Sequence, residues 1–278
     1  KISICTMASR PESSLPPELY YDDKEAKKYT QNSRIIQIQS EMSERAIELL
    51  SLPEDPTIRS SLLVLDVGCG SGISGAALTE AGLNWFGVDI SSSMLEIALE
   101  NEVEGGLARC DIGHGLPFRA GCFDAVVSVS ALQWLAYSDR STANPIRRQR
   151  AFFTSLYACM SVGARAVLQF YPADELQLQL LLNSAMSCGF TGGLVTDYPE
   201  SAKARKHFLV LDTAGTRPMP AAQDEAGGRH STKQQQPMRK GSKAWIMRKK
   251  EQYRRKNPDS KALPSDSKYT GRKRKPRF

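Results

Sequence analysis

The chain has few of the side chains on which most catalytic chemistry depends. Only 3 of its 278 residues are histidine. The 6 cysteines (Cys5, Cys69, Cys110, Cys122, Cys159 and Cys188) form no C-x-x-C pair and show no metal spacing with a histidine. No metal ligand set is therefore expected, and the thiols are expected to be reduced, in a cytosolic or nuclear compartment. No apolar run reaches the roughly 18–20 residues that would span a bilayer. The opening KISICTM is too short for a signal peptide. Met7 is expected to be the initiator, with residues 1–6 upstream of it. Acidic residues are scarce in one region. Residues 229–278 hold 18 Lys/Arg against 3 Asp/Glu, a net of +15, whereas the whole chain is only +7. The preceding body is therefore acidic, at −8. An acidic body with a basic tail points to nucleic acid more readily than to membrane, and a merely solvated tail is the alternative.

What is present is concentrated in residues 62–75, LLVLDVGCGSGISG. Residues 62–65 are apolar enough for a buried parallel strand, which Asp66 is expected to end. Gly68, Gly70 and Gly72 follow, and then a helical pattern that stops at Gly82. Strand, glycine-rich turn and helix together let backbone approach a nucleotide-like ligand and present unpaired N–H groups to it. Residues 70–75 also fit G-x-G-x-x-G, so a dinucleotide competes. The acidic markers decide between them. Asp66 would repel a pyrophosphate but suits the ammonium of an amino acid. Asp89, after the next strand, suits a ribose diol. Asp111 follows a third apolar stretch, where a carboxylate accepts from an adenine amino group. Ammonium, ribose and adenine without phosphate describe S-adenosyl-L-methionine. Asp66, Gly68, Gly70 and Gly72 are expected at its methionine end, Asp89 and Ile90 at the ribose, Asp111 and Ile112 at the adenine, with Ser128 and Val129 approaching from the fourth strand.

The rest of the chain extends this pattern. Residues 10–21 are proline-rich and expected to be extended. A short helix is expected over 22–29 and a longer one after it, with Ser33 as cap and Ile35, Ile38, Met42, Ala46 and Leu49 as apolar stripe. Tyr20, Tyr21, Tyr29 and Asn32 either line a lid over the ligand or simply pack on the sheet. Ser93 and Glu96 form a capping box. Residues 105–110 are a weak strand, 123–129 (FDAVVSV) a buried one, and 164–170 a fifth. Residues 136–143 are read as an excursion over the site. Asn144 and Pro145 open a helix that Gly163 closes. Its Arg147, Arg148 and Arg150 either contact phosphate or form an ordinary charged face. A helix over 174–188 precedes two closing strands, 194–197 and 207–211. The sum is an α/β fold, a seven-stranded, mostly parallel Rossmann-like sheet with helices on both faces and a terminal hairpin. The expected domains are an extended segment over 1–20, a body over 21–212 with lid helices in 21–52, a linker over 213–237, and a basic tail over 238–278. In that tail, residues 240–256 suit a basic helix anchored by Trp245, Ile246 and Met247, and 268–278 an RNA-contact or nuclear-localisation run.

LDVGCGSG, GVDIS, CDIG, LPF and FDAVVSVSALQW stand in the order found in class I methyltransferases. PPELYYDD, EAKKYTQNSRIIQIQ, AVLQFYP, GGLVTDYP and DSKYTGRKRKPRF take the resemblance further. From about Ala8 to Phe278 the chain resembles the eukaryotic 18S rRNA guanine-N7 methyltransferases. The resemblance implies methylation of one guanosine in small-subunit rRNA during 40S assembly, in the nucleus and nucleolus and also the cytoplasm. It implies a small zinc-binding activating adaptor, docked by strand addition on the edge strand between Gly106 and Cys110, with any zinc held by the adaptor. Guanine N7 carries a lone pair and no proton, so no general base is expected. Gln133, Trp134 and Tyr171 are the candidates to position the base, or merely close the pocket. Two alternatives remain at this point. One is a small-molecule methyltransferase. The other is an assembly factor whose essential role is RNA binding.

Overall fold

The computed structural model describes residues 11–13, 15–136, 144–201, 204–215 and 217–224, together with Ile246, Met247 and Lys250. The expected excursion over 136–143 thus lies almost wholly outside the described residues, as do Cys5, Trp245 and the 268–278 run. The chain divides into two compact units, residues 1–227 and 228–278.

The first unit is built on one sheet of seven strands. These are β1 (Leu63–Val67), β2 (Asn84–Asp89), β3 (Gly106–Arg109), β4 (Phe123–Val129), β5 (Met160–Phe170), β6 (Thr191–Asp197) and β7 (Lys206–Asp212). Their spatial order is β3-β2-β1-β4-β5-β7-β6. The first five are parallel, and β7 lies antiparallel between β5 and β6. The expected fold class is therefore the observed one. β1 and β4 are almost wholly buried because helices cover both faces, which is why they read as continuous apolar runs.

Helices α1 (Pro17–Tyr20), α2 (Asp23–Gln31), α3 (Ser33–Leu50) and α4 (Pro56–Arg59) precede the sheet. α5 (Ile73–Glu80), α6 (Ser92–Glu100), α7 (Pro145–Cys159) and α8 (Glu175–Met186) are the crossovers. Alternation along β1 sorts its side chains. Val64 joins Ala46, Leu49, Leu78 and Trp85 on the α3/α5 face. Leu65 and Val67 join Phe152, Phe153, Leu156 and Leu181 on the α7/α8 face.

Several local expectations are corrected. Residues 11–13 and 17–20 form helical turns rather than extended chain, since Pro17 occupies a first helical position that needs no N–H. The cap of α3 is Asn32, whose side chain accepts from the Arg34 and Ile35 amides; Ser33 is inside the helix. The cap of α6 is Ser91, not Ser93. Ser93 instead donates to Asp23 Oδ1 at 2.7 Å, and Ser91 Oγ donates to the Tyr21 carbonyl at 2.9 Å. Both hydroxyls thus hold the segment around α2 against α6, where Ala26, Met94 and Ile97 form a small core of their own. α7 ends at Cys159, and Gly163 lies within β5 at φ 82°. The cap Asn144 stands where expected, and Asp174, expected as the first residue of its helix, is instead the cap of α8. The first part of the expected linker, residues 213–224, is held against the sheet by side chains of α3, β5 and β6.

Candidate functional site

A cavity opens at the carboxyl ends of β1, β2 and β4, the side on which ligands bind in open α/β sheets. Its floor is the loop between β1 and α5. Gly68, Gly70 and Gly72 have φ of 74°, 52° and 87°, the left-handed region that glycine enters without strain. The loop is also tightly fitted. A Cβ on Gly68 would lie 2.3 Å from the Cβ of Ala131. One on Gly72 would lie 2.5 Å from Val103. Gly72 therefore packs toward Val103 and stands at the N-cap of α5.

Asp89 ties the floor to the wall. Its Oδ2 accepts from the Gly70 amide at 2.9 Å and its Oδ1 from the Ser91 amide at 2.8 Å. Burial raises its carboxyl above the usual range, against the opposing pull of the Ser91, Gly70 and Ile90 amides. Seven expected cofactor residues line the cavity: Gly68, Gly70, Asp89, Ile90, Asp111, Ile112 and Val129. Asp66, Gly72 and Ser128 do not. Ser128 is buried and donates to the Val67 carbonyl at 2.8 Å, so it joins β4 to β1.

Asp66 is corrected from strand end to strand interior. It is fully buried in β1. Ser74, which does line the cavity, donates to its Oδ2 at 2.6 Å, and Oδ1 has no partner among the described residues. Burial pushes its carboxyl up to about 7, against the Ser74 hydrogen bond and with a further rise from nearby Asp89. Because the unfolded chain would titrate near 4, the folded protein holds an extra proton between about pH 4 and 7, and stability falls as pH rises through that window. Asp66→Asn should therefore gain on the wild type by on the order of 3 kcal/mol between about pH 4.5 and 8. Urea unfolding of both at the two pH values measures this, and a pH-independent difference would contradict it.

Asp111 is shared among protein groups. The Gly113 amide and Arg148 Nη2 donate to its Oδ1 at 2.9 and 3.0 Å, and His114 Nδ1 lies 3.1 Å from Oδ2. Arg148 is thus drawn into the cavity wall, while Arg147 and Arg150 remain on the exposed face of α7.

The roof is aromatic. Tyr21, Tyr29 and Trp134 line the cavity. Trp134 packs on Tyr21 and Tyr20 with ring centroids 5.9 and 6.0 Å apart, and Tyr21 on Tyr29 at 5.8 Å. Burial first, then neighbouring tyrosines and Asp89, raise the Tyr21 hydroxyl far above its usual range. Asn32 serves as a helix cap instead. Gln133 and Tyr171 lie outside the lining. Gln133 Nε2 donates to the Ser130 carbonyl at 2.9 Å. Tyr171 donates to Met42 Sδ and accepts from Lys206 Nζ, each at 3.2 Å.

Sequence reasoning missed the group around Ser130. This residue has φ 58°, unusual for serine. Its amide and hydroxyl both donate to Gln169 Oε1, at 3.0 and 2.9 Å, and Gln39 Nε2 reaches its hydroxyl at 3.3 Å. Gln39 and Ser130 line the cavity. Nothing in the sequence signals that α3 and the ends of β4 and β5 meet there.

A family model described as "Methyltransferase domain" matches residues 65–148, and one described as "Methyltransferase involved in Williams-Beuren syndrome" matches residues 213–276. The chain is 46% identical to a Dictyostelium discoideum protein named as a probable 18S rRNA (guanine-N(7))-methyltransferase, over 97% of this chain and 100% of that one. It is 45% identical to the 18S rRNA (guanine-N(7))-methyltransferase of Mus musculus, over 99% and 100%. The chain belongs to the 18S rRNA (guanine-N7)-methyltransferase family. Solved structures agree on the fold. A TehB-like S-adenosylmethionine-dependent methyltransferase from Corynebacterium glutamicum covers 69% of this chain and 100% of its own, with TM-score 0.52 and 16% identity. A Haemonchus contortus phosphoethanolamine N-methyltransferase 2 covers 75% and 61%, with TM-score 0.54 and 17% identity.

The cofactor of this family member is S-adenosyl-L-methionine, and the cavity fits it. The left-handed glycines keep side chains off the floor, and the buried Asp66 carboxyl stands behind Ser74 with an Oδ1 that accepts no hydrogen bond among the described residues. Asp89 and Asp111 are carboxylates on the wall.

Proposed function

We propose that this chain transfers a methyl group to N7 of one guanosine in 18S rRNA, as part of 40S subunit assembly in the nucleus and nucleolus, and also in the cytoplasm. The observation that carries the reading is the aromatic roof directly over the cofactor cavity, in a chain near-identical in extent to curated rRNA guanine-N7 methyltransferases.

S-adenosylmethionine, when bound, supplies a methyl group on a sulfonium. The chain's own residues bind, orient and exclude water. The Asp89 carboxylate holds the Gly70 amide and faces the ribose. Asp111 and Ile112 flank the adenine, with Asp111 oriented by Arg148. Asp66 acts at the methionine end through Ser74 and the loop. Because N7 has no proton to lose, the site needs positioning and a dry wall rather than a base. Trp134 offers a face on which an unstacked guanine can stack. That face also favours the cationic product, by on the order of 0.5–2 kcal/mol. Gln133 and Tyr171 act behind the wall: Gln133 fixes the Ser130 carbonyl, and Tyr171 joins α3 to β7 through Met42 and Lys206.

Mapping guanine N7 methylation in small-subunit rRNA from cells carrying wild type or Trp134→Ala tests this. One mark is expected in the wild type. With purified protein, the variant should lose about 10- to 100-fold in transfer rate while keeping most of its cofactor affinity. Absence of any rRNA mark in the wild type would send the search to small molecules.

The activating partner is proposed to be a small zinc-binding adaptor that adds a strand to β3. β3 is the edge of the sheet, so among the described residues no strand pairs with its outer backbone groups. The Cys110 amide donates to the Asp89 carbonyl of β2, so by alternation the Arg109 amide points outward, and Arg109→Pro should abolish co-purification of such an adaptor on co-expression. Undiminished co-purification would move the interface elsewhere. Residues 238–278 are proposed to contact RNA and direct nuclear import.

A further inference from the structure

The segment after β7 is the part of the body that the catalytic reading leaves without a role. Its Ala, Gly, Gln and Pro content predicts a linker. Yet the described residues of this stretch, 213–215 and 217–224, are fastened at its start, middle and end. At the start, buried Asp212 accepts from Arg165 Nε at 2.9 Å and Arg217 Nη2 at 2.8 Å, and Thr191 Oγ1 donates to the Gly215 carbonyl at 2.7 Å. In the middle, a Cβ on Gly193 would lie 3.7 Å from Met219 Cε. At the end, buried Asp197 accepts from Arg45 Nε and Nη2 at 2.9 and 3.1 Å and from the Gln223 amide at 2.8 Å. Arg45 Nη2 also donates to the Ala221 carbonyl at 2.7 Å. The Tyr198 amide donates to the Gln223 carbonyl at 2.7 Å, and its hydroxyl to Gln223 Oε1 at 2.9 Å.

The order of these contacts gives the strap a direction. Its partners climb β6 from Thr191 through Gly193 to Asp197 as the strap runs from Gly215 to Gln223. β6 is antiparallel to β7, and β7 to β5, so β6 points the same way as β5. The strap therefore starts at the amino edge of the sheet and returns to the carboxyl edge, where the cofactor cavity opens. Only then do residues 225–278 begin, with 18 Lys/Arg against 4 Asp/Glu. The Asp197 carboxylate is what fixes the far end. Without the Gln223 amide a buried anion loses one of its donors, which is costly.

We propose that the strap, residues 213–224, is a positioning element for RNA: it sets the departure point of the basic tail at the carboxyl edge of the sheet, so that tail and cofactor cavity engage one RNA. This rests on the rRNA methyltransferase reading above. Tethering makes the second contact intramolecular, and its strength depends on where the tether starts. Strand β6 is about 20 Å long. A seven-residue flexible linker averages about 15 Å, in no fixed direction. A released strap no longer delivers the tail to that edge.

The strap's far end is held mainly through its own backbone groups on Asp197 and Arg45, so the test replaces residues 218–224 by seven Gly/Ser residues and Asp197 by Ala, keeping chain length, in the full chain and in a chain ending at residue 224. Affinity for a small-subunit rRNA fragment is read by anisotropy at fixed salt, alongside cofactor affinity, KM and kcat. In the full chain, RNA affinity should fall about three- to tenfold and KM rise to match, with kcat and cofactor affinity within about twofold. In the chain ending at 224, the same replacement should leave RNA affinity within about twofold. Equal losses in both backgrounds, no loss in either, or a wild type that does not bind the fragment would overturn the proposal. Because binding is read without methyl transfer, a wild type that binds rRNA but does not methylate it fails the enzyme reading and leaves the strap result interpretable.

Discussion

Asp89→Ala should lose about 100-fold or more in cofactor affinity and, with it, the rRNA mark. The side chain does two things at once. It faces the cavity, and it accepts from the Gly70 and Ser91 amides. Alanine removes a ligand contact and leaves two loop N–H groups without their acceptor. Hydrogen bonds to a charged group contribute about 1.5–3 kcal/mol each, so loss of even one good contact approaches two decades in affinity. Calorimetry with S-adenosylmethionine measures the first effect and rRNA mapping the second. Asp89→Asn should be intermediate, because its carbonyl oxygen can still serve one amide. Wild-type cofactor affinity in the alanine variant would remove Asp89 from the site.

Truncation after Asp224 should have the opposite profile. Cofactor affinity should stay within about twofold, since every cavity residue precedes the cut. Affinity for rRNA should fall on the order of 100-fold at about 0.15 M salt, and its salt dependence should flatten, because 18 basic residues leave with the tail. The place of the cut matters. A cut after Asp212 also removes Arg217 from Asp212 and the Gln223 amide from Asp197, and mixes lost RNA contacts with lost stability. Titration of RNA binding against salt for the two truncations separates these effects. An unchanged salt slope after the cut at 224 would show that the tail does not carry the phosphate contacts.

The site was partly legible before any coordinates. Gly68, Gly70, Asp89, Asp111 and Val129 follow from a rule local in sequence: what ends a parallel strand faces the ligand. The same rule misplaced Asp66 by one step. β1 runs on to Val67, so the carboxylate is sealed in the strand and Ser74 stands between it and the cavity. Trp134 was found because it follows β4 directly. Gln133, its neighbour, turns inward to Ser130, since adjacent residues of a tight turn point in different directions. The caps Ser33 and Ser93 were off by one and two residues, because several adjacent polar residues can cap and only the entry path of the chain selects one.

By itself the sequence determined the alternation of apolar runs and glycine turns, and hence a parallel sheet with a cofactor loop after its central strand. It also determined the separation of an acidic body from a basic tail. These follow from periodicity, glycine geometry and charge, all of which act over a few residues. Only the tertiary structure decided that Tyr21, Tyr29 and Trp134 share one roof, that Gln39, Ser130 and Gln169 share one network, and that residues 213–224 return along β6. Those arrangements join side chains far apart along the chain, and their partners are chosen by which elements pack together. A segment of low apolar content reads as a linker until the buried carboxylates that hold it, Asp197 and Asp212, are seen to need its donors.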